Sequence, residues 1–491
     1  MDRQIRRLAL VFLLLFGVLA VNLNYLQVIA ASDLANHPAN KRLLIQEYKV
    51  DRGEILARDR RTVLAESRPT RGQLKYLRRY PAGPLYAHVT GFYSFVFGRS
   101  ELEQSKNEYL AGRADELFPE RFVDQILGRD PRGASLVLTI DPVLQRAAQQ
   151  GLGGRAGAVA AINPQTGEVL ALVANPTYDP NALSSHNGRT IRATWRQLNA
   201  DPDKPLVSVA SDDFFPPGST FKIVTAAAAL ENGERPTTTY PNPPVLDLPQ
   251  TTSDLHNFGG DHCLGGASRV SLADALMVSC NVVFAEIGLK LGAEKLVEQA
   301  HRFGFSETID FDIPFQEGAI PDVGAFEQDL PAVAQSAIGQ RDVATNVLHL
   351  ALVGGAIGNG GVMMQPQLVS EIRDPSGQVI RGFEPRVWGR PMSPRNARTL
   401  AQMMQAVVDS GTGTAAQIPG VAVAGKTGTA QQAEGEPPHA WFVGFAPAER
   451  PTIAVAVVVL NGGDLGSEAT GGALSAPIAR SVMELALRGG A

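Results

Sequence analysis

Three groups of polar residues in this chain have types and spacings that suit nucleophilic chemistry. The stretch "FFPPGSTFKIVTAAAALENG", Phe214 to Gly233, places Ser219 three residues before Lys222. Residues i and i+3 share a helix face, so Lys222 is expected to point back toward Ser219. A lysine desolvated in a pocket can take the proton of a nearby hydroxyl and make it a nucleophile. The plainer alternative is an N-cap at Ser219 and a lysine that snorkels out of a core helix. The second group is Ser279 and Asn281 in "SLADALMVSCNVVF". In turn or extended backbone, i and i+2 point the same way, so both could face one site. Both are also ordinary turn residues. The third group is Lys426, Thr427, Gly428 and Thr429 in "GKTGTAQ". Strand alternation puts Lys426 and Gly428 on one side, Thr427 and Thr429 on the other. A glycine inside a strand marks the close approach of another backbone, which we expect to be a peptide-like substrate. A solvated edge strand is the alternative.

These residues need elements to hold them. Pro216, Pro217 and Gly218 read as a turn, and Asn232-Gly233 as the stop of an apolar, buried helix that starts at Thr220. "KVDRGEILARDRRTVLAES" alternates apolar and polar residues and predicts a β-hairpin with its turn at Asp59-Arg60-Arg61. "SLVLTIDPVLQRAAQQGL" predicts a strand and then a helix that opens at Asp141-Pro142. "AVAAINPQTGEVLALVA" predicts two strands around a turn at Asn163–Gly167. "VAVAGKTGTAQQ", "HAWFVGFAP" and "TIAVAVVVL" add three strands near the other end, and the region from Thr220 to Gly361 reads as mostly helical. Strands at both ends with helices between them argue an α+β fold whose one sheet is assembled from both ends.

With 491 residues, 44% of them hydrophobic, the chain can bury a large core in two or three domains. A net charge of −5 and the lack of a basic, aromatic-laced stripe argue against nucleic acid. Arg3, Arg6 and Arg7 precede an uncharged run from Leu8 to Ala31, about 36 Å long as a helix. We expect a single membrane anchor there, with the N-terminus cytoplasmic and the remainder extracellular or periplasmic. A signal peptide cleaved near Ala30 or Ala31 is the alternative. His256, Asp261, His262 and Cys263 cluster without a zinc spacing, so no metal is expected.

Taken together, the order Ser-x-x-Lys, Ser-x-Asn, Lys-Thr-Gly resembles that of penicillin-binding proteins and serine β-lactamases. With "YPAGPLYAHVTGFYS", "ELEQSKNEYLAG", "QSAIGQ" and "GTGTAAQIPG", nearly the whole chain resembles a class B penicillin-binding protein, a monofunctional peptidoglycan D,D-transpeptidase. Its pattern is most similar to the actinobacterial penicillin-binding protein A type. The resemblance implies a cytoplasmic tail at 1–7, an anchor at 8–31, a pedestal at 32–153 and a transpeptidase domain at 154–491. That domain would be a β-lactamase-like antiparallel sheet flanked by helices, with a helical subdomain. The resemblance also implies roles. Ser219 would be the nucleophile, Lys222 its general base, and Ser279 a proton relay. Asn281 would bind substrate and steady Lys222. Lys426, Thr427 and Thr429 would hold the donor's carboxylate, with Gly428 in the substrate-binding strand. The backbone N–H groups of Ser219 and Thr429 would form the oxyanion hole. It implies no cofactor. The implied partners are peptidoglycan stem peptides, β-lactams as inhibitors, a polytopic glycan polymerase of the SEDS type, and divisome or elongasome proteins. A β-lactamase would not need the region before Gln150 or an anchor. The motifs would also suit a D,D-carboxypeptidase, with water as acceptor. A catalytically weak β-lactam sensor or division scaffold would not need Lys222, Asn281 and Lys426 intact. Family pedestals often read Arg-Asp-Gly where this chain has Arg58-Asp59-Arg60. The only two cysteines, Cys263 and Cys280, would form a disulfide outside the membrane; the alternative is a packed Cys280 and a free Cys263 thiol.

Overall fold

A five-stranded antiparallel sheet forms the centre of the molecule. Its order is Ala424–Ala430, His439–Ala446, Ile453–Val459, Gly157–Ile162 and Val169–Asn175, so strands from before and after the Thr220–Gly361 region pair as expected. This computed structural model describes residues 2–25, 47–252, 254–258, 260, 262–327, 329–432 and 435–489. The end of the expected anchor (26–31), the expected start of the pedestal (32–46) and Asp261 lie outside the described residues.

The central strands are apolar throughout because both faces are covered. Val159, Ala161, Phe442, Val455 and Val457 face the helices Pro142–Leu152 and Ser475–Gly489. Ala158, Ala160, Trp441, Val443 and Ala456 face the opposite way, toward the helix Val347–Gly358, buried from Val347 to Ile357, and the helical part. That second face is also the face of Lys426 and Gly428. Ala424–Ala430 is an edge strand, so one side of it stays open to a ligand.

The region from Thr220 to Gly361 departs from the helical expectation. Besides its helices it holds two small ribbons, Thr239–Pro241 with Arg269–Ser271 and Val245–Asp247 with Asp254–His256. Pro236, Pro241, Pro243, Pro244 and Pro249 explain the change, since proline breaks helix interiors.

The expected hairpin pairs Ile55–Leu56 with Val63–Pro69. Asp59 Oδ1 accepts hydrogen bonds from the N–H groups of Arg61 and Thr62 at 3.0 and 2.8 Å and closes the turn. Arg60 has φ +58°, which explains why glycine suits the position; here Arg60 instead ion-pairs with Glu371 at 2.6 Å. The hairpin belongs to a six-stranded sheet in the order Val379–Gly382, Val369–Arg373, Ser135–Leu138, Ile55–Leu56, Val63–Pro69, Tyr76–Arg79. Two of its strands therefore come from much later in the chain. Below it, buried Glu103 ion-pairs with Arg52 and Arg78 at 2.5 and 2.6 Å. Asp141 caps the helix Pro142–Leu152 through the N–H groups of Val143 and Leu144. At the N-terminus, Arg3–Asn24 is a helix long and apolar enough to cross a membrane, with a mean hydropathy of 2.0.

Candidate active site

Ser219 lies in a single 3-10 turn, Gly218–Phe221, that leads into the helix Lys222–Glu231. The turn is wedged between two segments. Gly218 N–H donates to Gly339 O at 2.9 Å, in "QSAIGQ". On its other side a Cβ at Gly218 would lie 2.7 Å from Thr429 O, and Gly218 has φ +52°. Only glycine supplies both the left-handed backbone and the clearance. Ser219 is thereby held beside the edge strand Ala424–Ala430.

Lys222 is fully buried. Its Nζ donates to Asn281 Oδ1 at 2.6 Å and Ser279 O at 2.7 Å, with a longer contact to Ser279 Oγ at 3.4 Å. The expected turn toward Ser219 is not a hydrogen bond among the described residues. The i, i+3 spacing fixes the helix face, but the acceptors choose the direction of a long side chain. Ser279 has φ +63°, between the helices Leu272–Met277 and Asn281–Arg302, and this backbone lets both its O and its Oγ face lysines. The second lysine is Lys426, also fully buried, whose Nζ donates to Ser279 Oγ and to Thr427 O, each at 2.8 Å. Burial pulls the Lys426 ammonium down to about 7. Burial, and then the charge of Lys426, hold Lys222 well below the usual lysine range.

Asn281 is fixed from the other side. Its Nδ2 donates to His256 O at 3.0 Å, while Asn257 Oδ1 accepts from the N–H groups of Asn281 and Val282 at 2.8 and 3.1 Å. Asn257 thus caps the helix that starts at Asn281. Cys263 and Cys280 are disulfide-bonded, with Cα atoms 5.9 Å apart, so the loop that carries Asn257 is tied to the turn that carries Ser279 and Asn281.

Along the edge strand the alternation holds. Lys426 and Gly428 lie on the face of Val443 and Trp441, with Gly428 against the Gly218–Phe221 turn, while Thr427 and Thr429 alternate with them and line the cleft with Ser219. The close neighbour of Gly428 is not a substrate, however. An added Cβ there would lie 2.9 Å from Pro217 O and 2.8 Å from Thr220 Cγ2, so the glycine makes room for the protein's own turn. Thr427 Oγ1 shares a hydrogen bond with Thr412 Oγ1 at 2.5 Å. Ser219, Ser279, Asn281, Thr412, Thr427 and Thr429 all line one cleft of about 990 Å³. Thr412 and Asn257 carry no mark in the sequence that singles them out as site residues. Thr412 stands in "GTGT", a turn-like run with no chemical signature of its own, and the partners of Asn257 are backbone groups far along the chain.

Residues 157–484 match the family model for the penicillin binding protein transpeptidase domain, and residues 52–136 that for the penicillin binding protein A dimerisation domain. The peptidoglycan D,D-transpeptidase PbpA of Mycolicibacterium smegmatis is 42% identical, with all of both chains covered, and that of Mycobacterium tuberculosis is 40% identical, again over both full chains. The structure of penicillin-binding protein A from M. tuberculosis as a ceftriaxone acyl-enzyme superimposes with a TM-score of 0.86 at 39% identity, over 90% of this chain and 100% of that one. Its penicillin G acyl-enzyme gives 0.83 at 40% identity, over 89% and 99%. With that length of agreement, the chain belongs to the penicillin-binding protein transpeptidase family.

Proposed function

We propose that this protein is a serine D,D-transpeptidase that cross-links peptidoglycan stem peptides through an acyl-enzyme on Ser219, and that β-lactams acylate the same residue. The observation that carries the reading is the meeting of two buried lysines, Lys222 and Lys426, at Ser279 Oγ beside Ser219. A neutral Lys222 amine has two N–H groups and one lone pair. Asn281 Oδ1 and Ser279 O take the two N–H groups, which leaves the lone pair for the Ser219 proton. Ser219 Oγ attacks the D-Ala-D-Ala carbonyl carbon. The oxyanion sits between the backbone N–H groups of Ser219 and Thr429, where one lost donor typically costs about 3–4 kcal/mol of barrier. As the C–N bond breaks, Ser279 passes its proton to the leaving D-Ala nitrogen and takes back the Ser219 proton from Lys222, 3.4 Å from its Oγ. Lys426, Thr427 and Thr429, with Thr412 orienting Thr427, hold the donor's terminal carboxylate. The amine of a neighbouring stem peptide then attacks the acyl carbon and gives up a proton to neutral Lys222, which returns it to Ser219 Oγ as the C–Oγ bond breaks.

The division at about residue 153 into pedestal and transpeptidase domain belongs to this proposal, with 369–382 lending two strands to the pedestal sheet. So does the topology: the helix Arg3–Asn24 crosses the membrane once, its basic end inside and the catalytic domain outside. Partners of the SEDS polymerase, divisome or elongasome kind fit a single-pass anchor that must meet a source of new glycan.

The test is direct. The full-length protein in detergent is incubated with a fluorescent penicillin, and the label is located by peptide mapping. The expected site is Ser219, labelling is lost in Ser219→Ala, and the adduct persists while free penicillin is removed. Rapid turnover of penicillin with no adduct would instead favour a β-lactamase.

A further inference from the structure

The helix Phe118–Ile126 turns its apolar side away from the protein. Phe118, Phe122, Val123, Ile126 and the adjoining Leu127 are each 50–68% exposed. At 100° per residue these five cover one half of the helix circumference. The other half holds Asp124, buried and paired with Arg132 at 3.5 Å. Phe118 and Phe122 stack with their rings 6.2 Å apart, and the Arg121 guanidinium lies 5.7 Å from the Phe118 ring centre. A continuous apolar patch of this kind is the size at which a contact surface is expected.

Its location points to the partner. Glu47 is the first described residue of the pedestal, and residues 26–46 separate it from the N-terminal apolar helix. Glu47 ion-pairs with Arg99 at 2.9 Å and with Arg113 at 2.8 Å. Arg121, on the exposed helix, donates in turn to Arg113 O at 3.1 Å. The chain therefore enters the pedestal beside this helix. The family model that covers it is named for dimerisation, and a second copy is the obvious rival. Five half-exposed side chains present on the order of 500 Å², below the roughly 800 Å² per partner of a stable complex.

We propose that the Phe118–Ile126 face docks into a lipid surface and lies in the plane of the headgroups. This rests on the reading of Arg3–Asn24 as a membrane span. Nine residues make a helix about 14 Å long, too short to cross a bilayer but suited to lie at its boundary with the apolar half submerged by about 5–10 Å. Docked in this way, the pedestal has a second attachment besides the anchor, which fixes its tilt.

The test uses the full chain in phosphatidylcholine–phosphatidylglycerol vesicles. Val123→Cys is labelled with an environment-sensitive fluorophore; the native cysteines are bridged and do not react. Flotation reports the anchor separately. The expected result is co-flotation, emission shifted to the blue relative to detergent, and quenching by lipids brominated in the acyl chain. The added pair Phe118→Ser and Ile126→Ser should abolish quenching but leave flotation and penicillin labelling intact. Flotation without quenching overturns this proposal alone. Failure to float overturns the anchor and this proposal with it. Energy transfer between copies at high lipid excess, without lipid quenching, assigns the face to a second copy and overturns the lipid assignment.

Discussion

Lys426 Nζ donates to Ser279 Oγ at 2.8 Å, while the nearest acceptors of Lys222 are the main chain of Ser279 and the side chain of Asn281. One serine thus stands between two buried lysines that repel each other when both are charged. Burial, and then the charge of Lys426, hold Lys222 well below the usual lysine range, which favours a neutral Lys222 beside a charged Lys426. That is the distribution the mechanism needs: a neutral base beside Ser219 and a charged group for the carboxylate.

A pH dependence follows. Lys426 is charged below about 7 and neutral above it. The second-order rate of acylation by a carboxylate-bearing β-lactam should therefore fall as pH rises beyond about 7, by up to about tenfold per pH unit. In Lys426→Arg the guanidinium stays charged throughout, so this alkaline limb should vanish even if the overall rate is lower. Stopped-flow acylation between pH 6 and 9 reads both. An alkaline limb that is unchanged in Lys426→Arg would assign the titration to another group.

Lys222→Arg should slow acylation by at least about 100-fold, the low end for a lost general base, because guanidinium offers no lone pair at neutral pH. Arginine is cationic at every accessible pH, so if Lys222 acted through a positive charge rather than a lone pair, rates would stay near normal. Rapid-quench measurement of the acyl-enzyme separates the two, with circular dichroism to check that the buried site still folds.

What could be read from the residues alone has a physical pattern. The central strands were legible because strands covered on both faces are continuous apolar runs. The turns at Asp59 and Asp141-Pro142 were legible because their side chains bond their own backbone. The two later strands of the pedestal sheet were not, since Val369–Arg373 pairs with Ser135–Leu138 across more than 200 residues and nothing local records that choice. The ribbons around Tyr240 and Leu255 are too short and too proline-rich to show a period. Within the site, residue types and order marked Ser219, Lys222, Ser279, Asn281 and Lys426. The same reading mistook the use of Gly428 and passed over Thr412 and Asn257, whose hydrogen bonds exist only after folding.

Gly428→Ala tests the packing of the edge strand against Pro217 and Thr220. A methyl group there meets Thr220 Cγ2 at 2.8 Å and Pro217 O at 2.9 Å, so the edge strand and the nucleophile turn must separate by some tenths of an ångström. Overpacking of this kind costs about 1–3 kcal/mol. The displacement acts directly on the gap between Ser219 and Thr429, where a misplacement of about 1 Å can cost about 100-fold in rate. We expect a modest loss in thermal midpoint and a loss of acylation closer to 100-fold. Acylation within a few-fold of the parent, together with an unchanged midpoint, would mean that the gap does accommodate added groups.

The Cys263–Cys280 bridge is expected to act on stability and on acylation through different routes. Its 17-residue separation gives a loop-closure contribution of roughly 3 kcal/mol, which should appear as a lowered thermal midpoint after reduction or in Cys263→Ser. The route to acylation is geometric. The loop that begins at His256 holds Asn281 through His256 O and through Asn257 Oδ1, and the bridge pins that loop to Cys280, next to Asn281. Release of the loop puts these hydrogen bonds at risk, each worth about 1 kcal/mol, and with them the grip of Asn281 Oδ1 on Lys222. Acylation at 25 °C, where the reduced protein is still folded, should fall about five- to tenfold. Asn257→Ala in the oxidised protein should fall by a similar factor with a smaller loss of midpoint, because it removes the grip but keeps the bridge. If reduction lowers the midpoint and leaves acylation unchanged, the bridge is a staple of the fold and Asn281 is held well enough without it.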